Sequence, residues 1–432
     1  MGDYKVCCQG CGSVLHDLAT SCRLDPGLPR AVYSQKRLEI ADLPGVWRHL
    51  AWLPVKSPDM RTGAGSVCYQ SQGLAREIGL QRLFISFSGF WPEMGASMVT
   101  GSFKELEAAP TMQRLSETAR PVAGVPGGHN APVLVVASAG NTARAFAQTA
   151  SLTGRPVVLF VPTSSLHRLW TTVEPGRICL AGVEGDYLDA IQVADRLASR
   201  PGFLPEGGAR NIARRDGMGT VMLEAAATAG VIPDHYFQAV GSGTGGIAAW
   251  EAALRLAGDG RFGSNIPRLH LAQNLPCAPI HRLWTGPGGE SPSGLSEIWK
   301  GLGCPDEMYD DVLFNRNPPY AIPGGVEQAL RETSGAVWGV ANDEAEAARQ
   351  LFESSEGIDI LPAPAVAVAA LLKAMEDGAV RKEETVLLNI TGGGVKRSWE
   401  ELGPSILPCQ MKVRPGHPAD DLEKQVLEFI RS

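Results

Sequence analysis

The chain has 432 residues, 44% of them hydrophobic and 20% charged, with 50 glycines and 31 prolines. That length suits two or three packed lobes, and the spread of glycine and proline excludes collagen and wholesale disorder. A net charge of −7 argues against a nucleic-acid scaffold or a binder of anionic membranes. The longest apolar stretch, Leu361 to Leu372, contains two prolines and is shorter than the ~18–20 residues of a spanning helix. No basic-then-apolar leader opens the chain, and nine cysteines, an odd number, read as reduced thiols. A soluble cytoplasmic enzyme is expected.

The first thirty residues stand apart. Cys8-Gln9-Gly10-Cys11-Gly12 forms a knuckle, and Cys22 and Asp25 follow. Thiolates two residues apart on a glycine turn have the look of half a zinc ribbon. Asp25 stands where a fourth thiolate is expected. Cys8, Cys11 and Cys22 are therefore a candidate metal set with zinc as the candidate ion; the alternative is a knuckle that only packs on the core.

From about residue 70 the chain alternates helical and strand-like runs. Ser71 to Leu80 is amphipathic, and Arg82 to Ser88 alternates like a strand. Val133 to Ala137 is a β-rich run, followed by a turn and by helical spacing over Thr142 to Thr153. Pro156 to Val161 again reads as a buried strand. The order recurs at Tyr236 to Val240 with Ile247 to Ala257, and at Thr385 to Ile390. Strand–helix–strand order predicts parallel sheets with right-handed crossovers, so the class is α/β. Ala119 to Pro132 and Thr285 to Ser296 read as surface loops.

Four elements carry chemistry. Gly241-Ser242-Gly243-Thr244-Gly245-Gly246 lies between a strand and a helix. There, backbone N–H groups converge at a positive helix end, and a phosphate cradle is predicted. Gly241, Gly243 and Gly246 also match G-x-G-x-x-G, but Asp259 sits in a turn rather than at the strand end that a dinucleotide site requires. Ser138-Ala139-Gly140-Asn141-Thr142 is a second strand-to-helix turn, suited to a carboxylate or to plain helix capping. Asn389 to Gly394 ends a late strand and offers the Thr391 hydroxyl. Lys104, two places after Ser102 and beside Phe103, is a candidate for covalent attachment to a carbonyl if it is half-buried. Together these are the parts needed to hold pyridoxal phosphate.

In order and spacing, Ser102-Phe103-Lys104, Ser138 to Thr142, Asn211 within Glu206 to Asn211, the cradle and Thr391 resemble the fold type II pyridoxal-phosphate enzymes. Threonine synthases are the most similar widespread branch. Phe87 to Glu93, Ser102 to Ala108, Pro205 to Glu224, Asp234 to Glu251, Glu356 to Pro362 and Asn389 to Gly394 resemble the cysteate synthase family of methanogenic archaea. The resemblance implies a tryptophan synthase β-like fold of two open parallel-sheet domains behind the N-terminal Cys knuckle. The expected division is a knuckle over 1–30, a large cofactor domain over 31–107 plus 221–432, and a small domain over 108–220. It implies a transferase that makes L-cysteate from O-phospho-L-serine and sulfite for coenzyme M synthesis. The alternative is threonine synthase chemistry on O-phosphohomoserine.

Carried over by position, Lys104 would hold the cofactor and move the Cα proton, and Asn141 would meet its 3-hydroxyl. Gly241, Ser242, Gly243, Thr244, Gly245 and Gly246 would bind its phosphate, and Thr391 would face the ring nitrogen. Ser138 and Thr142 would bind substrate. From the basic cluster Arg210, Arg214 and Arg215, the first, with Asn211, is chosen for the substrate's anionic group. Lys396 and Arg397 are second choices. Ala143-Arg144, after the asparagine loop, departs from the pattern and is expected to matter little. The resemblance also implies a homo-oligomer acting on small molecules, without nucleic acid or membrane.

Overall fold

The structure is a computed structural model that describes residues 3–118, 132–286, 305–315 and 318–431. The expected loops Ala119 to Pro132 and Thr285 to Ser296 fall almost wholly outside these residues. Two parallel sheets organise the chain, as the alternating pattern predicts. The larger has six strands in the order Ala336–Val340, Arg268–Asn274, His235–Ala239, Thr385–Ile390, Arg82–Phe87, Val67–Gln70. Only the last pair is antiparallel. The smaller has five parallel strands in the order Phe203–Pro205, Val133–Ala137, Val157–Pro162, Ile178–Val183, Met411–Val413.

Central strands are buried on both faces, which explains why they read as continuous apolar runs rather than alternating ones. Every residue of Val157–Pro162, Ile178–Val183, His235–Ala239 and Thr385–Ile390 is buried. The apolar stretch that is too short for a membrane span is the helix Pro362–Glu376, packed against the larger sheet with Ala365, Val366, Val368 and Leu371 buried. Among the described residues, no helix is long and apolar enough to cross a membrane. The cysteines of the described residues are all free.

Two boundaries depart from the expected division. The chain after Ser405 leaves the larger lobe: Met411–Val413 pairs with Ala181 to Val183, and the helix Ala419–Arg431 buries Leu422, Val426 and Ile430 against the smaller sheet. The helix Ile212–Ala229 lies wholly with the larger core, where Ile212, Met218 and Val221 pack with Trp250 and Leu223. The helix Lys104–Thr118 serves both lobes, burying Leu106 and Ala109 in the larger core and Ala108, Met112 and Leu115 in the smaller. The N-terminal strands Tyr4–Cys8, Val14–Leu15 and Pro29–Tyr33 form their own antiparallel sheet, with Val6, Leu28 and Tyr33 sunk into the larger core.

Candidate active site

Strands of both sheets end at one cavity of about 440 Å³ between the lobes. Ligand sites of open α/β sheets lie at the carboxyl ends of strands, and three of the predicted turns arrive there from such ends. Ser138, Asn141 and Thr142 come from the smaller sheet; Gly241 to Gly245 and Thr391 come from the larger. Lys104 reaches the same cavity from the first turn of its helix.

Lys104 and Thr391 are tied together by backbone. Phe103 N donates to Thr391 O at 3.0 Å, and Gly393 N donates to Gly101 O at 3.1 Å. Lys104 Nζ lies 3.5 Å from Glu107 Oε2 and 4.7 Å from the centroid of the Phe103 ring. Burial pulls the lysine pKa below its usual value; the Glu107 carboxylate opposes this and Arg214 adds to it.

The cradle is built by close approach. Gly243 has φ +79°, and a Cβ there would lie 2.5 Å from Val326 Cγ2. A Cβ on Gly245 would lie 2.2 Å from Gln238 Nε2, so only glycine lets the turn sit on the strand beneath it. Gly243 caps the helix Thr244–Asp259, whose N-terminus therefore opens onto the cavity with Ser242 Oγ and Thr244 Oγ1 2.7 Å apart. Gly246 does not line the cavity; it packs against Leu271, where a Cβ would be 2.7 Å from Cδ2.

Asn141 opens the helix Asn141–Thr153. Its Oδ1 accepts from Arg144 Nη2 at 2.8 Å, which leaves the Nδ2 donor as the amide's other polar end. Arg144, expected to matter little, is buried and also donates to Thr100 O and Arg168 O. It stacks 4.8 Å from the centroid of the Trp170 ring, and burial lowers its pKa to about 10. It fixes the asparagine turn on the Ser102 segment, a role hidden because its partners lie 24 and 44 residues away.

The basic cluster divides. Arg214 lines the cavity, with Nε 2.7 Å from Glu107 Oε2 and Nη1 2.6 Å from Glu206 Oε1. Burial works against its charge, but the two carboxylates raise its pKa further. Thr142 Oγ1 donates to Glu107 Oε1 at 3.0 Å, so Lys104, Glu107, Thr142 and Arg214 form one network. Arg210 and Asn211 do not line the cavity. Arg210 Nη1 donates to Pro26 O at 3.4 Å, and Asn211 caps its helix, accepting from Ala213 N and donating to Glu206 O. Arg215 is buried against Glu251, 2.9 Å away, and Arg397 pairs at the surface with Glu93 and Glu401. Glu107, Glu206 and Gln238 escaped the sequence reading. For Glu107 a signal existed, since three residues after Lys104 is the same helix face.

The cavity fits pyridoxal phosphate by its donors: a glycine turn at a helix N-terminus, held close to the scaffold where a Cβ on Gly243 or Gly245 would clash, a lysine of lowered pKa, an amide donor and a neutral hydroxyl at a strand end. Asp259 takes no part, being salt-bridged to Arg261. Comparison with known proteins agrees. Residues 70–392 match the family model "Pyridoxal-phosphate dependent enzyme". The chain is 57% identical over 413 residues to a cysteate synthase of Methanothrix thermoacetophila, covering 96% of each. It is 53% identical over 431 residues to a cysteate synthase of Methanococcoides burtonii, covering 100% of this chain and 98% of the relative. Among solved structures, serine racemase from Dictyostelium discoideum has the same fold at 17% identity and a TM-score of 0.51, covering 76% of this chain and 92% of its own. Threonine deaminase isoform 2 from Solanum lycopersicum does so at 15% identity and 0.51, covering 85% and 91%. The chain thus belongs to the pyridoxal-phosphate-dependent enzymes of fold type II, in the branch that its cysteate synthase relatives occupy.

Proposed function

We propose that this chain is a cytoplasmic cysteate synthase that converts O-phospho-L-serine and sulfite to L-cysteate and phosphate, a step toward coenzyme M. The observation that carries the reading is identity of 57% and 53%, over nearly whole chains, to two cysteate synthases. Pyridoxal phosphate, when bound, supplies an electron sink through which a Cα proton can leave and a β-substituent be expelled. The Cβ–O bond to phosphate breaks, a Cβ–S bond to sulfite forms, and the proton returns to Cα.

The residues divide this work. The Gly241 to Thr244 turn offers its backbone N–H groups and a helix N-terminus to the cofactor phosphate. Asn141 Nδ2 would donate to the cofactor's 3-hydroxyl, and Thr391 would give the ring nitrogen a neutral partner. Lys104 would hold the cofactor and then carry the proton at Cα. Its lowered pKa favours the free amine that must accept the proton, and Glu107 at 3.5 Å steadies the charged form once the proton has arrived. Ser138, Thr142 and the N-terminus of the helix Asn141–Thr153 suit the substrate carboxylate. Arg214, in the cavity wall, is better placed than Arg210 for the phosphate that leaves and the sulfite that replaces it. Sulfite is anionic near neutral pH and attacks through its sulfur lone pair, so no further base is required. Approach of the two lobes would exclude water, which competes with sulfite at Cβ.

The test crosses O-phospho-L-serine or O-phosphohomoserine with or without sulfite, reading phosphate release and the amino acids formed. Cysteate from phosphoserine only when sulfite is present is the expected result. Threonine from phosphohomoserine, with no cysteate, would transfer the chain to threonine synthase chemistry and leave the cofactor site intact.

A further inference from the structure

The N-terminal knuckle lies outside the cavity, and its chemistry is unused by the reaction. Cys8, Cys11 and Cys22 bring their three sulfurs within 4.8 Å of one another. The Cys11 and Cys22 sulfurs are 3.7 Å apart. That is far beyond the ~2.05 Å of a disulfide. It is the edge of a tetrahedron around zinc, since two thiolates ~2.3 Å from one ion at the tetrahedral angle stand ~3.8 Å apart.

A carboxylate beside Cys8 is the candidate for the fourth corner. Asp25 Oδ1 lies 3.7 Å from Cys8 Sγ. A Zn–S bond of ~2.3 Å and a Zn–O bond of ~2.0 Å would place those atoms ~3.5 Å apart. The carboxylate is seated rather than free. Gly27 N donates to Oδ1 at 2.7 Å, and a Cβ on Gly10 would lie only 1.8 Å from that oxygen. Gly10 must therefore lack a side chain for Asp25 to face the thiols.

Each half closes a tight turn on its first cysteine. In Cys8-Gln9-Gly10-Cys11, Gly12 N donates to Cys8 O at 2.9 Å. In Cys22-Arg23-Leu24-Asp25, Leu24 N donates to the Cys22 sulfur at 3.4 Å. Backbone donors two residues on from a ligand spread thiolate charge and orient the lone pairs that bind metal.

We propose that Cys8, Cys11, Cys22 and Asp25 bind one zinc ion in a closed, four-coordinate structural site. The ion fastens the knuckle to the turn that presents Arg214. Pro26 O, next to Asp25, accepts from Arg210, and Thr20 packs against Gly207. Two residues beyond Pro26, Leu28 N donates to Pro323 O at 2.8 Å. A site with four protein ligands leaves no open position for substrate, so its contribution is to folding rather than to catalysis.

The test is elemental analysis of the full-length, cofactor-loaded protein purified without oxygen, and it does not depend on which reaction the cavity performs. About one zinc per chain is expected. The double variant Cys11→Ser with Cys22→Ser should lose at least tenfold of that zinc. Asp25→Ala should shorten zinc retention against a chelator, and Asp25→Cys should lengthen it. Cobalt replacing zinc in the unaltered chain should show sulfur-to-cobalt charge transfer and the absorption of a tetrahedral ion, a readout independent of how well any variant folds. Unaltered protein that carries no zinc and takes up neither zinc nor cobalt would overturn the proposal. So would a Cys11–Cys22 disulfide, or zinc content unmoved by the double variant.

Discussion

Arg214 is the side chain on which the site's electrostatics turn. It is buried between Glu107, which has no exposed side-chain surface, and Glu206. Truncating one member of such a group leaves charges unpaired in a dry environment, a loss of ~3–5 kcal/mol. Arg214→Ala should therefore lower the stability of the holoenzyme by about that amount in urea titration. Arg214→Lys keeps one charge but loses the planar fork, so it should cost less stability while raising the KM for the anionic substrates roughly tenfold or more. An Arg214→Ala protein of unchanged stability would show that Glu107 and Glu206 find other partners or bind protons.

Between elements, the decisive contact pairs a proline with a glycine. Pro110 lacks the N–H that would satisfy Leu106 O within the helix Lys104–Thr118. The helix Ile212–Ala229 brings Gly217 onto that carbonyl, where a Cβ would lie 1.9 Å from the oxygen. Gly217→Ala must push the two helices apart and draw Arg214 away from Glu107. A loss of roughly 2 kcal/mol or more, with lower turnover, is expected from denaturation and steady-state assays. Across the larger sheet, Trp338 Nε1 donates to His270 Nδ1 at 3.1 Å, which leaves His270 Nε2 to donate to His235 Nδ1 at 2.9 Å. His235 Nε2 then donates to Glu384 at 3.1 Å. Burial, helped by His235 and Arg268, lowers the His270 pKa to about 2. The folded chain thus binds fewer protons here than the unfolded chain, whose histidine titrates near 6.5. This contribution is intact above pH 6.5 and is lost as the pH falls below it. His270 alone should cost about 2 kcal/mol between pH 7 and 5, and His270→Asn should flatten that slope.

Much at this scale was legible in the residues. Strands such as Val133–Ala137 and Thr385–Ile390 fall where apolar runs stop at Ser138 and at Thr391-Gly392, because those turns need small or capping residues. The same turns line the cavity, so the cradle, Asn141, Thr391 and Lys104 are legible in sequence as groups that meet there. Spacing along a helix does not say which side chain caps it and which faces the cavity, so the sequence points to Arg210 and Asn211 where the cavity wall holds Arg214. The Gly217–Leu106 contact joins residues about a hundred positions apart, and no local pattern encodes it.

At the scale of the molecule, the chain passes between the lobes three times. It leaves the larger lobe after the helix Lys104–Thr118, returns before the helix Ile212–Ala229, and leaves again near Ser405. The last passage had no signature, since Met411–Val413 is a three-residue strand whose partner lies some 230 positions back. Deleting residues 405–432 should uncover the edge strand Ile178–Val183 and the apolar surface under Val413, Leu422 and Val426. Hydrogen exchange should then speed up in Val157–Pro162 and Ile178–Val183 while Thr385–Ile390 stays protected. Equal loss in both sheets would mean that the lobes unfold as one unit.

The same return places the two extremities of the described chain on opposite lobes. Exposed Val32 rides with the larger lobe and exposed Glu428 with the smaller. Neither position touches the cavity. A pair of fluorophores there would act as a ruler for the opening and closing of the cleft during turnover, in a protein whose reacting groups have been left untouched.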